Sequence, residues 1–190
     1  MITEEQKQKF YQFGSDNNKS LERAAKEGDL ELIKYLVNTD FGSSLKNITS
    51  SGKQSAFVVA SGAGHLHVMK YLLRRELKKS LFLKFTAPQA LRQAIQEGSI
   101  NSAKFLLHTL ETKKHIDVAA NTVFYFNLAP LNMLEYLVFE YKMDIKPYIK
   151  KIRNHEYILN DKKFALDFLN YYELQQELEQ KNIKEKKLKI

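Results

Sequence analysis

Phe57-Val58-Val59-Ala60-Ser61-Gly62-Ala63-Gly64-His65-Leu66-His67-Val68-Met69-Lys70-Tyr71-Leu72-Leu73 reads as two short helices joined at a glycine. Phe57 and Ala60 stand three positions apart, so they share one face of the first helix, and the small Ala lets a neighbouring helix approach. Gly64 supplies the permissive backbone that ends a helix and turns the chain. After it, Leu66, Val68, Met69, Leu72 and Leu73 recur with a 3.6-residue period, the apolar stripe of a second helix.

The same pattern occurs on either side. Leu21, Ala24 and Gly28 lead into Leu30, Leu32, Ile33, Leu36 and Val37; Leu91, Ala94 and Gly98 lead into Ile100, Ser102, Ala103, Leu106 and Leu107. The three glycines are 36 and then 34 residues apart, and Ser102 and Ala103 thin the stripe of the third unit. Each unit is a helical hairpin with one apolar side that it cannot bury alone. Stacking units side by side buries it. The expected fold is therefore all-α, a helical-hairpin solenoid of about four or five repeats.

Beyond the third unit the pattern degrades. Leu131-Asn132-Met133-Leu134-Glu135-Tyr136-Leu137-Val138 reproduces the second-helix stripe with Ala129 in the glycine slot, and its first helix falls on Ala119–Asn127. A fifth stripe, Lys163–Leu169, places Asp161 at the glycine slot and a first helix near Ile152–Leu159. Thr3-Glu4-Glu5-Gln6 fits a capping box that opens an N-terminal lid helix bearing Phe10, Tyr11 and Phe13. Residues 172–181 continue helically, and 184–190 read as a charged, fraying tail. Pro88 and Pro130 fall near the openings of expected helices. The organisation expected is one domain over 1–190: a capping helix at 1–19, three clear repeats at 20–107, one or two divergent repeats at 108–172, and a C-terminal helix and tail at 173–190.

With Ala24-Ala25-Lys26-Glu27-Gly28 and Gly64-His65-Leu66 through Tyr71-Leu72-Leu73, the chain resembles the ankyrin-repeat family, whose pattern runs roughly T-P-L-H-x-A-A-x-x-G-H-x-x-x-V-x-x-L-L over about 33 residues. The T-P-L-H slots here hold Lys19-Ser20-Leu21-Glu22, Ser55-Ala56-Phe57-Val58 and Gln89-Ala90-Leu91-Arg92, and the connectors are longer than the family norm. These departures leave the helices in place and bear on the β-hairpin fingers. The resemblance gives His65 a structural role, a hydrogen bond between repeats.

Composition limits the chemistry. The 190 residues include no Cys, which excludes disulfides, thiol catalysis and Cys-ligated metals. No apolar run is long enough to span a bilayer, and the first residues show neither a basic nor an apolar leader region. No nucleophile elbow, phosphate loop, dinucleotide fingerprint or paired-carboxylate motif occurs. His65 and His67, two apart on a helix, point in different directions, and His108, His115 and His155 lack catalytic companions. The expectation is a non-enzymatic chain without metal or cofactor.

The family resemblance implies a partner surface on the concave side, at the two positions before each glycine and at the turn tips. Carried over, these are Lys26, Glu27, Gly62, Ala63, Gln96 and Glu97, with Lys53 and Gln54 as turn-tip candidates. Of the net charge of +8, residues 1–50 carry −1 and the remainder +9, and Lys dominates over five Arg. A basic cluster of Arg74, Arg75, Lys78, Lys79 and Lys84 follows the second helix of repeat two, interleaved with Leu77, Leu81, Phe82, Leu83 and Phe85. It complements a helix dipole as a solvated connector, or it docks an acidic partner, nucleic acid or anionic lipid. The leading expectation is a monomeric interaction module or adaptor that binds another protein through its concave face. The alternative is a basic scaffold that binds nucleic acid or anionic membrane through the Arg74–Lys84 cluster and the Lys-rich C-terminus. A cytoplasmic setting, or delivery into a host cytoplasm as a bacterial effector without a Sec leader, is what a small Lys-rich, Cys-free member of that family suggests.

Overall fold

A computed structural model describes residues 16–38, 48–75, 79–110, 129–153 and 162–187. The N-terminal lid helix, the first helix of repeat four and Asp161 lie outside the described residues. The described chain is helical: α1 (Asn17–Glu27), α2 (Leu30–Asn38), α3 (Ser50–Gly62), α4 (Leu66–Arg75), α5 (Lys79–Gln96), α6 (Ile100–Leu110), α7 (Leu131–Glu135) running into a π-helical turn at Tyr136–Glu140, α8 (Lys146–Arg153) and α9 (Lys162–Lys187).

Three hairpins, α1–α2, α3–α4 and α5–α6, are built alike at their turns. Gly28, Gly64 and Gly98 take φ of 75°, 80° and 71°, the left-handed region that a side chain strains. At each the same two backbone hydrogen bonds form. Asp29, His65 and Ser99 N–H donate back to the carbonyls of Ala24, Ala60 and Ala94, and Leu30, Leu66 and Ile100 N–H to those of the glycines. Asp29 then caps α2, its Oδ1 accepting from Leu32 N at 3.0 Å, and Asp16 does the same for α1.

The apolar residues expected to align do so. Leu36, Leu72 and Leu106 are buried in successive layers, as are Leu21, Phe57 and Leu91, and Ala24, Ala60 and Ala94. One continuous core runs from Leu21 to Leu169. The backbones of α1, α3 and α5 approach closely along their lengths, whereas α2, α4 and α6 meet at few points. Side-chain size explains the difference: Ser20, Ala24 and Ala25, then Ala56, Ala60 and Ser61, then Ala87, Ala90 and Ala94 fill the inner contacts. Leu, Ile and Met hold the outer helices apart. The stack curves, with the first helices on its concave side.

Repeat four keeps the register. Pro130, in the slot of His65 and Ser99, packs against Gly98 as His65 packs against Gly28 and Ser99 against Gly64. On the outer helices, Lys70 Nζ sits 5.9 Å from the Phe105 ring centroid and Lys104 Nζ 4.8 Å from that of Tyr136, the same step repeated. Burial, then the neighbouring Tyr141 and Glu140, push the Tyr136 phenol up to about 12. Past this helix the repeat ends in a π turn, Tyr141 N–H donating to the Tyr136 carbonyl, and Phe139 meets the rings of Phe168, Tyr171 and Tyr172 on α9.

Two expectations are corrected, and others are sharpened. Pro88 lies inside the 18-residue α5 rather than at a helix opening. Residues 76–78 alone lie between α4 and α5, and α5 takes in Phe82 and Phe85 of the basic segment as helix. The one bond that Pro88 removes would have gone to the carbonyl of Lys84, an exposed residue. Of the first helix expected near Ile152–Leu159, residues 152 and 153 end α8 (Lys146–Arg153), and 154–159 lie outside the described residues. The fifth stripe itself is the start of the 26-residue α9, where Phe168 and Leu169 are buried but Leu166 is 37% exposed. No described hairpin partner covers that residue. Lastly, α9 extends through Lys187, so 184–187 is helix and only 188–190 lies outside the described residues.

Substituting Gly28→Ala forces a side chain into left-handed backbone and places its Cβ 2.7 Å from the His65 ring, so thermal or denaturant unfolding should show a loss of about 1–3 kcal/mol. Ser102 is wholly buried and its Oγ has no hydrogen-bond partner among the described atoms, so Ser102→Ala should raise stability by about 1 kcal/mol in the same assay. Because the folded state holds the Tyr136 proton to about pH 12 while an unconstrained phenol releases it near 10, this group's contribution is complete below pH 10 and lost as pH rises through 12. Phenolate absorbance should show one titration near pH 12 disappear in Tyr136→Phe.

Candidate functional site

The first helices present their unburied faces on the concave side, and the sequence of α3 differs there from its neighbours. Where α1 carries Lys19, Glu22, Arg23, Lys26 and Glu27, and α5 with its C-terminal turn carries Gln89, Arg92, Gln93, Gln96 and Glu97, the equivalent positions of repeat two hold Ser55, Val58, Val59, Gly62 and Ala63. Small residues between two rows of long ones leave a trough. An open groove of about 360 Å³ occupies that place, floored by Val58, Val59, Gly62 and Ala63, with Lys26 on one side and Gln93 and Glu97 on the other.

Four of the expected partner-binding residues, Lys26, Gly62, Ala63 and Glu97, are thus brought together in one groove. Gly62 is buried: a Cβ there would lie 2.6 Å from Gln93 Cγ, so its contribution is the close passage of α5 over α3 rather than a contact surface. Gln93 Nε2 donates to Glu97 Oε1 at 3.1 Å, holding the carboxylate at the rim. Glu27 is exposed next to the groove and pairs with Arg23 at 2.7 Å, and Gln96 is half-buried beside it. Lys53 and Gln54 do not sit at a turn tip. They belong to the first turns of α3, which starts at Ser50, because Thr49 caps the helix there and is held by Asn18 Oδ1 of α1.

Val58, Val59 and Gln93 complete the groove without having been singled out from the sequence. The signal was present as a contrast: a Val-Val pair where the neighbouring repeats place Glu22-Arg23 and Arg92-Gln93. Core positions are marked by the residues that repeat, and these surface positions are the ones where the repeat is broken.

The histidines also differ from expectation. His65 Nε2 lies 3.0 Å from the Lys26 carbonyl and His67 Nε2 3.0 Å from that of Gly28, with the two rings 5.8 Å apart. They converge on the C-terminus of α1 rather than diverging, because His65 precedes α4 in non-helical backbone and helix spacing does not govern it. Carbonyls only accept, so each Nε2 carries a hydrogen. His65 makes the inter-repeat link expected of it, and Ser99 Oγ makes the equivalent link by donating to the Gly62 carbonyl. Pro130 has no side-chain donor and cannot continue the series.

The basic cluster is only partly available. Arg75 donates from Nε to Tyr71 Oη at 3.3 Å and from Nη2 to Asn38 Oδ1, joining the outer helices of repeats one and two. Arg74 is exposed at the end of α4, and Lys84 lies 5.7 Å over the ring of Phe85, itself 63% exposed. Lys78 lies outside the described residues, and Lys79 opens α5. Among the described residues no group of three or more His, Asp and Glu could hold a metal ion, and no helix is long and apolar enough to cross a membrane.

A family model of ankyrin repeats, in three copies, matches residues 21–121, just over half of the chain. Comparisons with curated proteins and with solved structures returned no match.

Proposed function

Because the chain belongs to the ankyrin-repeat family, whose repeats are generally protein-interaction modules, we propose that it is an adaptor that binds a partner protein through its concave face. The observation that carries this reading is the groove over repeat two. The core positions repeat from unit to unit, so the fold does not require the exposed face of α3 to differ from those of α1 and α5. That face nevertheless places small apolar residues, Val58, Val59 and Ala63, where its neighbours carry long polar ones, with charged groups along both walls. Side chains that the stack does not need, grouped in one concavity, support selection for contact with something outside it.

The concave face is favoured over the basic scaffold for a specific reason. Arg75 of the basic cluster is already engaged in holding two repeats together through Asn38 and Tyr71, whereas the groove is an open concavity.

Crosslinked affinity capture with the full chain tests the proposal. Reversing or adding charge at Lys26→Glu, Glu27→Lys, Gln96→Lys and Glu97→Lys together should abolish capture of the partner while leaving the circular-dichroism melt near that of the unaltered chain. Partners captured equally well by both proteins would overturn the concave-face assignment.

A further inference from the structure

From the shape and charge of the groove we infer that its occupant is a short polypeptide segment carrying two aliphatic side chains, with an acidic residue on the side of Lys26 and a basic residue on the side of Glu97. This rests on the concave-face reading and specifies the chemistry that face accepts.

The floor sets the first requirement. Val58, Val59 and Ala63 offer only methyl groups, and Gly62 is covered by Gln93, so nothing on the floor hydrogen-bonds to a polar side chain pressed against it. A polar group there would lose water without compensation, whereas an aliphatic one gains from the transfer. From Val58 to Ala63 a helix rises about 7.5 Å. That is close to the separation of side chains at i and i+2 of an extended strand, and at i and i+4 of a helix, so two aliphatic groups fill its length.

The walls set the second. Lys26 ends α1 on one side and its side chain is exposed. On the other, Glu97 accepts from Gln93, which fixes the carboxylate while leaving further lone pairs for a cation. Opposite charges on opposite walls give the groove a polarity across its width. A segment with the reverse arrangement meets like charges on both sides, so the pair selects one orientation of the bound chain as well as its composition. The two histidine links and the Ser99 link tie all three repeats together at the carbonyls of Lys26, Gly28 and Gly62, so the walls are held at fixed spacing before anything binds.

A random displayed-peptide library panned against the full chain reads this directly. Retained sequences should share two aliphatic residues two or four apart, flanked by one acidic and one basic residue. Synthetic peptides of that consensus should bind at least about tenfold more weakly to Val59→Arg and to Ala63→Arg, two independent variants whose melts are compared with the parent so that a misfolded one is recognised. Lys26→Glu should weaken the consensus peptide, and exchanging the peptide's acidic residue for Lys should restore binding. Retained sequences without aliphatic pairs, full binding by both floor variants, or no retained sequence at all would overturn the inference. If charge changes at residues 26, 27, 96 and 97 abolish partner capture while both floor variants capture normally, the concave-face reading stands and the groove chemistry fails. If neither set has an effect, both fail.

Discussion

A pair of short helices has one flank too apolar to leave in water and too small to bury against itself. Every other feature of this protein follows from that constraint. The pair closes on itself only through the left-handed turn at Gly28, Gly64 or Gly98, which folds the second helix back along the first and sets both stripes on one side. The stripe is then satisfied by the next pair, and the core extends from unit to unit without a centre. Hydrogen bonds from His65 and Ser99 to carbonyls of the preceding repeat add direction to an attraction that has none of its own, and so fix the register.

Curvature comes from the same constraint with unequal side chains. Ala and Ser between the first helices let their backbones approach; Leu, Ile and Met between the second helices prevent it. The inner surface that results is lined by the exposed faces of α1, α3 and α5, and its relief is the profile of side-chain length across three helices. The groove exists because α3 is short-chained where its neighbours are long. An enclosed cavity would need a missing core residue. This groove needs only a lowered row, and it leaves Phe57, Ala60 and Ser61 beneath it fully packed.

Where the repeat pattern fails, the reason is visible in the packing. Pro130 replaces the hydrogen-bonding residue after the glycine slot, and the π turn at Tyr136–Glu140 adds a residue to the helix, so Phe139 turns toward α9. The 26-residue α9 packs there through Phe168, Leu169 and Tyr172 and continues past the body of the stack, with Leu174, Leu178 and Ile183 about half exposed.

The hairpins, their glycine turns, the buried slots and the family were legible in the amino-acid sequence, because they depend on residues near one another along the chain and recur at a fixed spacing. Leu36, Leu72 and Leu106 could be equated from spacing alone. The positions flanking the glycines could be named as a surface, but the grouping of Lys26 with Gly62, Ala63 and Glu97 depends on three helices lying side by side, separated by tens of residues of chain. Helix phase predicted that His65 and His67 diverge; the non-helical backbone at His65 and the carbonyl terminus of α1 bring them together. Spacing also placed Pro88 at a helix opening, whereas α5 extends through it because Phe82 and Ala87, on the preceding turns, are buried in the stack. Local pattern fixes which residues are core, since burial follows periodicity. Which surface residues meet, and how far a helix runs, was decided by contacts between segments that no local pattern encodes.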